Sequence, residues 1–167
     1  MQETYKVLVI GNGNSGKTSL IKRVRTNEIE LRNVSTMGVE VHPINFNNTT
    51  LNIWDCSGTP RFYGANVGYA IGVQACMIFV NNNEEALVYK QRLQIEEHIP
   101  HIIVKSKCDL SGEQMGIIPS TNILGGIKVI NTSSRALNRE DVLLPFKEII
   151  RLLRGDNVAN LVVDIDN

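Results

Sequence analysis

The sequence predicts a doubly wound α/β domain, and three observations carry that expectation. Residues 7–21 form an apolar run that breaks into a glycine-rich turn at Gly11 and resumes with helical spacing, the order strand, loop, helix. Residues 74–80 and 101–105 are continuous apolar runs, unalternating as strands covered on both faces must be. Turn residues and helical patterns lie between such runs, as they do when crossover helices join parallel strands. The expected sheet has six strands, five parallel and one antiparallel, flanked by helices.

The first loop sets the chemistry. Gly11, Gly16, Lys17 and Thr18 satisfy GxxxxGK[ST], the pattern of a phosphate-binding loop. Glycine at positions 11, 13 and 16 frees the backbone to take positive φ and to turn successive amides inward, while the following helix offers its positive end to an anion. Gly13, Asn14, Ser15, Gly16, Lys17, Thr18 and Ser19 are therefore the expected phosphate cradle. Lys17 meets the β and γ oxygens, and the Thr18 hydroxyl holds the Mg²⁺ that neutralises them.

Helical spacing through Leu20, Ile21 and Val24 ends near Thr26, and residues 27–35 read as a loop. A strand follows over 36–46 with Val39, Val41 and Ile44 inward, then a turn at Asn47 and Asn48 and a partner strand from Leu51 to Trp54. That strand runs into Asp55-Cys56-Ser57-Gly58, a DxxG pattern. Asp55 stands at the carboxyl end of its strand, where α/β sheets bind ligands, and is expected to hold Mg²⁺ through water, with Gly58 turning its amide to a γ-phosphate. A helix is expected over 84–97. After the run at 101–105 come Ser106, Lys107, Cys108 and Asp109, and the Asp109 carboxylate can accept two hydrogen bonds from guanine that adenine does not offer. Residues 111–126 are irregular, 127–130 form the last strand, and a helix from Val142 to Leu153 closes the domain, with Pro145 near its first turn and Gly155 as its stop. Residues 1–155 make one domain and 156–167 a tail.

Seventeen basic and seventeen acidic side chains cancel, so no global electrostatic footprint for nucleic acid or anionic membrane exists. Three cysteines without metal-ligand spacing read as reduced thiols. No apolar run reaches the ~20 residues of a membrane span, and the C-terminal end carries no lipidation cysteine. The expectation is a monomer of cytoplasm and nucleus without a membrane anchor.

Taken together, these motifs resemble the small GTPases of the Ras superfamily, with a Ras-like G domain, and within it the Ran branch of nuclear-transport GTPases. Residues 37–43, MGVEVHP, are similar to that branch's LGVEVHP, and the stretches 62–79, 97–100 and Pro145-Phe146 also match. The resemblance implies a GTP/GDP switch with mobile loops around 33–38 and 58–69, acting with import receptors of the importin-β type and with Ran regulators. It also implies that Thr36 binds Mg²⁺ and the γ-phosphate, that Lys107 covers the base, and that Ser133, Ser134 and Arg135 stand in for the SAK loop, with the Ser134 backbone at guanine O6.

The departures concern catalysis. Thr36, Gly58, Thr59 and Lys17 occupy the implied catalytic positions, but Thr59 replaces the glutamine that orients the attacking water, and Asn33 replaces the tyrosine that sets that glutamine in the Ran branch. Slow hydrolysis is the consequence. Ser106 replaces the asparagine of NKxD, the basic loop before the last strand has no counterpart in 120–128, and the acidic end is reduced to Asp164 and Asp166. Two rival readings stand beside the slow GTPase. One is a GTP-loaded binding module without turnover; the other is a nucleotide kinase, which lacks here its arginine-rich lid. His42, His98 and His101 read as structural, Trp54 as core or partner contact, Phe62 as packing or docking, and Arg61 as surface.

Overall fold

The apolar run that opens the chain becomes strand β1, Glu3–Gly11, and its residues from Val7 onward are buried. A strand covered on both faces and hydrogen-bonded on both edges belongs inside a sheet, and the computed structural model places it there. The structure describes residues 1–32, 34–59, 68–82, 84–85, 88, 96, 98–118, 127–155 and 162–163. The further strands are β2 (Val39–Phe46), β3 (Thr49–Cys56), β4 (Ala75–Phe79), β5 (His101–Lys105), β6 (Gly116–Ile118) and β7 (Val129–Asn131). Helices with described bounds are α1 (Lys17–Thr26), the single turn α2 (Cys108–Ser111) and α3 (Arg139–Arg154).

One seven-stranded sheet results, in the order β2-β3-β1-β4-β5-β7-β6. β1 pairs in parallel with β3 on one side and β4 on the other, with Val9 opposite both Asp55 and Met77. Alternate residues of β1 face opposite layers. Val7 and Val9 join Leu20, Ile21, Val24, Phe146 and Ile149 under α1 and α3, whereas Leu8 and Ile10 join Cys76, Ile78 and Ile103 on the other face. Both faces are apolar, so the strand shows no alternation in sequence.

Four expectations need correction. The sheet has seven strands and two antiparallel pairs, β2 with β3 and β6 with β7; β6 lies within the stretch read as irregular, where three residues leave too short a pattern to recognise. The last strand is Val129–Asn131, beginning two residues later and ending one residue later than expected. In β2 the inward phase belongs to His42, Ile44 and Phe46, while Val41 is 48% exposed. Hydrophobicity misled there because Val39 and Val41 face the second layer, which at this sheet edge covers Val39 alone. Of the helix expected over 84–97, residues 86–87, 89–95 and 97 lie outside the described residues, as do Asn33, Arg61 and Phe62.

The fourth correction concerns α3. It begins at Arg139, where the Asn138 side chain caps it by accepting from the Glu140 amide at 3.0 Å, so Pro145 sits in its second turn rather than its first. Proline has no N–H to give the carbonyl four residues back. That carbonyl belongs to Asp141, and it accepts instead from the buried Thr132 hydroxyl at 2.6 Å. Of the expected tail, Val162 and Val163 are described: Val163 is buried against the first core layer and bridges to Phe46 at the edge of β2.

The Thr132 contact yields a testable pair of variants. Thr132→Val should lower stability by about 1–3 kcal/mol, because the Asp141 carbonyl is left without a donor. Adding Pro145→Ala should restore most of that loss, since residue 145 regains the missing N–H. Urea denaturation of the two single variants and the double variant measures the coupling.

Candidate functional site

The motifs converge where the carboxyl ends of β1, β3 and β5 meet the loop after β7, at the point where strand order runs outward from β1 in both directions. The turn after β1 is held by Asn14 at φ 64° and Gly16 at φ 86°, and Gly13 is not among the residues of positive φ. Gly16 is also the N-cap of α1, and no side chain caps that helix, so its first amides face the cleft. The cleft has a cavity volume of about 190 Å³ and opens to solvent.

Lys17 is 6% exposed, and its ammonium donates to the Gly11 and Asn12 carbonyls at 3.0 and 2.9 Å. Burial lowers its pKa, and the charge of Asp55 opposes that shift. Thr18 Oγ1 donates to Asp55 Oδ2 at 2.5 Å and lies 2.9 Å from the Thr36 hydroxyl. Three residues expected at the metal, from a helix, a loop and a strand, thus meet at one point. The second carboxylate oxygen, Asp55 Oδ1, is buried without a hydrogen-bond partner among the described residues. A hard divalent cation takes oxygen ligands, and two hydroxyls beside an unsatisfied carboxylate oxygen fit Mg²⁺.

Gly58 approaches from the other side. Its carbonyl accepts from the Gly13 amide at 3.1 Å, and a Cβ at Gly58 would overlap the Gly13 nitrogen, so the two loops touch backbone to backbone. Thr59 lines the cleft beside it, with its amide on Ser57 Oγ at 3.2 Å.

At the far end, Lys107, Asp109, Ser134 and Arg135 line the cleft. Ser133 is buried; its hydroxyl donates to Asp109 Oδ1 at 2.6 Å and accepts from the Arg135 amide at 3.0 Å. Ser106 is buried and donates to the Ser15 carbonyl, tying β5 to the first loop. Ser15 and Ser106 are therefore supports behind the wall. Ser19 lines the cleft, and so do four residues that pattern reading passed over: Glu30, which pairs with Lys22 at 2.7 Å, Val34, Ser35 and Leu110.

Residues 6–109 match the family model described as Ras of Complex, Roc, domain of DAPkinase. The chain belongs to the Roc family. It is thus a Ras-like, GTP-binding G domain, and the match runs from β1 through the phosphate loop and Asp55 to its last residue, Asp109. The turn at 133–135 lies beyond the matched span. The match supports the Ras superfamily and does not single out the Ran branch.

Other residues of this Roc domain fall into place as structure. His42 is buried with Nδ1 3.0 Å from Arg25 Nη1; burial and that cation lower its pKa. Neither His98 nor His101 lines the cleft. Trp54 lies under the Lys6 ammonium, 3.9 Å from the ring centroid, and 6.1 Å from the Tyr69 ring. All three cysteines are buried and free, with burial pushing Cys56 to about 12 and Cys108 to about 11. Sequence reading also missed Arg23, because a basic last turn reads simply as a partner for the helix dipole, and Arg139, which opens α3 but reaches back to the end of α1.

Asp55 predicts a pH dependence. Burial raises its pKa to about 6, above the unfolded value near 3.8. The protonated form is therefore the one the fold favours, and metal-free stability is lost as pH rises from about 4 through 6, by roughly 3 kcal/mol in full. Asp55→Asn should remove that loss, making the metal-free protein more stable than wild type at pH 7 but not at pH 4. The variant should also lose the rise in Tm that MgCl₂ with GDP gives wild type; thermal melts at both pH values check both effects.

Proposed function

We propose that this domain is a guanine-nucleotide switch that holds GTP or GDP with Mg²⁺ and turns GTP over slowly. The observation that carries the reading is the convergence on one cleft of the buried Lys17 ammonium, the Thr18-Thr36-Asp55 cluster and the Ser133-oriented Asp109. Lys17 pairs with the β- and γ-phosphates, and the amides that open α1, from Gly16 to Ser19, face them, while the Gly13 and Ser15 amides hold the loop to the Gly58 and Asn12 carbonyls. Thr18, Thr36 and Asp55 hold the cation. When bound, Mg²⁺ neutralises charge on adjacent phosphate oxygens. Asp109 accepts from the guanine edge, Lys107 covers the ring and the Ser133-Ser134-Arg135 turn closes the base end. Gly58 and Thr36 sense the terminal phosphate from the two loops. Thr59 has a hydroxyl on a short stem where the superfamily has a glutamine amide, so water is not oriented for attack.

A second reading rests on residues 37–43 at the sheet edge, where Met37 is 74% and Val41 48% exposed. Their likeness to the Ran branch favours a role in nucleocytoplasmic transport, with GTP-loaded protein binding importin-β-type receptors in cytoplasm and nucleus. A form that binds receptors without turnover is the limit of this reading. Pull-down with GTP-loaded against GDP-loaded protein tests it, and equal capture of both forms overturns it.

Chromatography and mass spectrometry of nucleotide released from purified protein should give GDP or GTP; an adenine nucleotide overturns the proposal. In single turnover with [γ-³²P]GTP, hydrolysis should be slow, and Thr59→Gln should raise it about tenfold or more, a small part of the ~10³ to 10⁵ that full positioning with a helper protein supplies.

A further inference from the structure

Arg23 lies on α1, which begins at the phosphate loop, yet its guanidinium reaches the base end of the cleft. The side chain is 8% exposed. Nε donates to the Ser134 carbonyl at 3.1 Å, Nη2 to the Ala136 carbonyl at 3.5 Å, and Nη1 to both oxygens of Asn27. The described residues give it no carboxylate partner. A buried cation held only by carbonyl oxygens is costly. The negative end of α1 and four oriented dipoles offset part of that cost.

Arg139 stands beside it and makes a useful contrast. Its guanidinium donates to the Arg23 and Val24 carbonyls at 3.3 and 2.8 Å and to Asn27 Oδ1 at 2.8 Å. Those acceptors all belong to α1 and its cap. Arg139 closes the helix end, whereas Arg23 alone of the two crosses to the turn at 133–136.

That turn in turn controls Asp109. The Ala136 amide donates to the Ser133 carbonyl at 3.1 Å, the Arg135 amide to Ser133 Oγ, and Ser133 Oγ to Asp109 Oδ1. With the Ser134 and Ala136 carbonyls held from α1, the 134–135 and 136–137 peptide planes are fixed, and the Ala136 amide on the Ser133 carbonyl holds the peptide between them, and with it the serine that orients the carboxylate.

We propose that Arg23 is a positioning residue for guanine selectivity: it locks the base-end turn to the helix that begins at the phosphate loop and thereby aims Asp109. This rests on the reading of the cleft as a guanine-nucleotide site. Without Arg23 the carboxylate loses its set orientation, and discrimination of guanine from a base lacking the exocyclic amine falls.

Calorimetry with Mg²⁺ on protein stripped of nucleotide, titrated with GDP and with IDP, tests the proposal. Wild type should prefer GDP. Arg23→Met keeps the aliphatic stem and removes every donor; it should cut the GDP/IDP affinity ratio about tenfold, the scale of a lost hydrogen bond to a charged group. Arg23→Lys, with a single reaching ammonium, should fall between, and it takes the place of the methionine variant if that does not fold. Arg139→Met should lower Tm and leave the ratio within about twofold. An unchanged ratio in the Arg23 variants overturns the proposal, and so does an equal fall in Arg139→Met, because the ratio would then follow loss of stability alone. If wild type binds neither nucleotide, or binds both equally, it is the guanine reading that fails.

Discussion

The site depends on a buried ammonium at the end of a buried strand. Lys17 gives up most of its water to lie among the Gly11 and Asn12 carbonyls; burial lowers its pKa, and the charge of Asp55 at the end of the neighbouring parallel strand opposes that shift. The pairing of β1 with β3 puts Val9 opposite Asp55, so register decides where the carboxylate meets the loop. Once that is fixed, Thr18 on the first turn of α1 reaches Asp55, Thr36 reaches Thr18, and Gly58 is carried against Gly13. The phosphate end of the cleft is therefore a property of the sheet as much as of its glycine loop.

Two substitutions at motif positions have unequal consequences. Ser106 is shorter than an asparagine, but it sits close enough to the Ser15 carbonyl to keep β5 joined to the phosphate loop, and it fills the space that a Cβ on Gly16 would need. Thr59 has no comparable substitute among the described residues that line the cleft. On the proposed reading, binding and turnover are thus separable in this Roc domain: the cleft keeps the residues proposed to hold the nucleotide, while Thr59 stands where the superfamily has a glutamine of longer reach.

What the sequence made legible follows from the range of each signal. The phosphate loop, the aspartate near the carboxyl end of β3 and the motif after β5 are local patterns with mechanical reasons; residues of the first and the last line one cleft, and Asp55 lies buried behind it on Thr18. The buried runs over β1, β4 and β5 were equally plain. β6 was not, since its place depends on antiparallel pairing with β7 and not on its own three residues. The phase of β2 failed because valines at 39 and 41 look like core, while the structure buries the histidine that follows them and covers the other face only in part. Arg23 was invisible for a different reason: the acceptors that tie it to the base end are carbonyls more than a hundred positions away, and no residue type announces a carbonyl.

The proline in α3 has a consequence for how the chain assembles. A helix with a gap at the Asp141 carbonyl cannot complete its hydrogen bonding by itself. The missing donor is Thr132, which immediately follows β7, so the last helix reaches its full complement of bonds only when that strand has joined the sheet. The C-terminal helix and the far side of the sheet are in this way obliged to mature together, and the turn between them, which also orients Asp109, takes its shape in the same step.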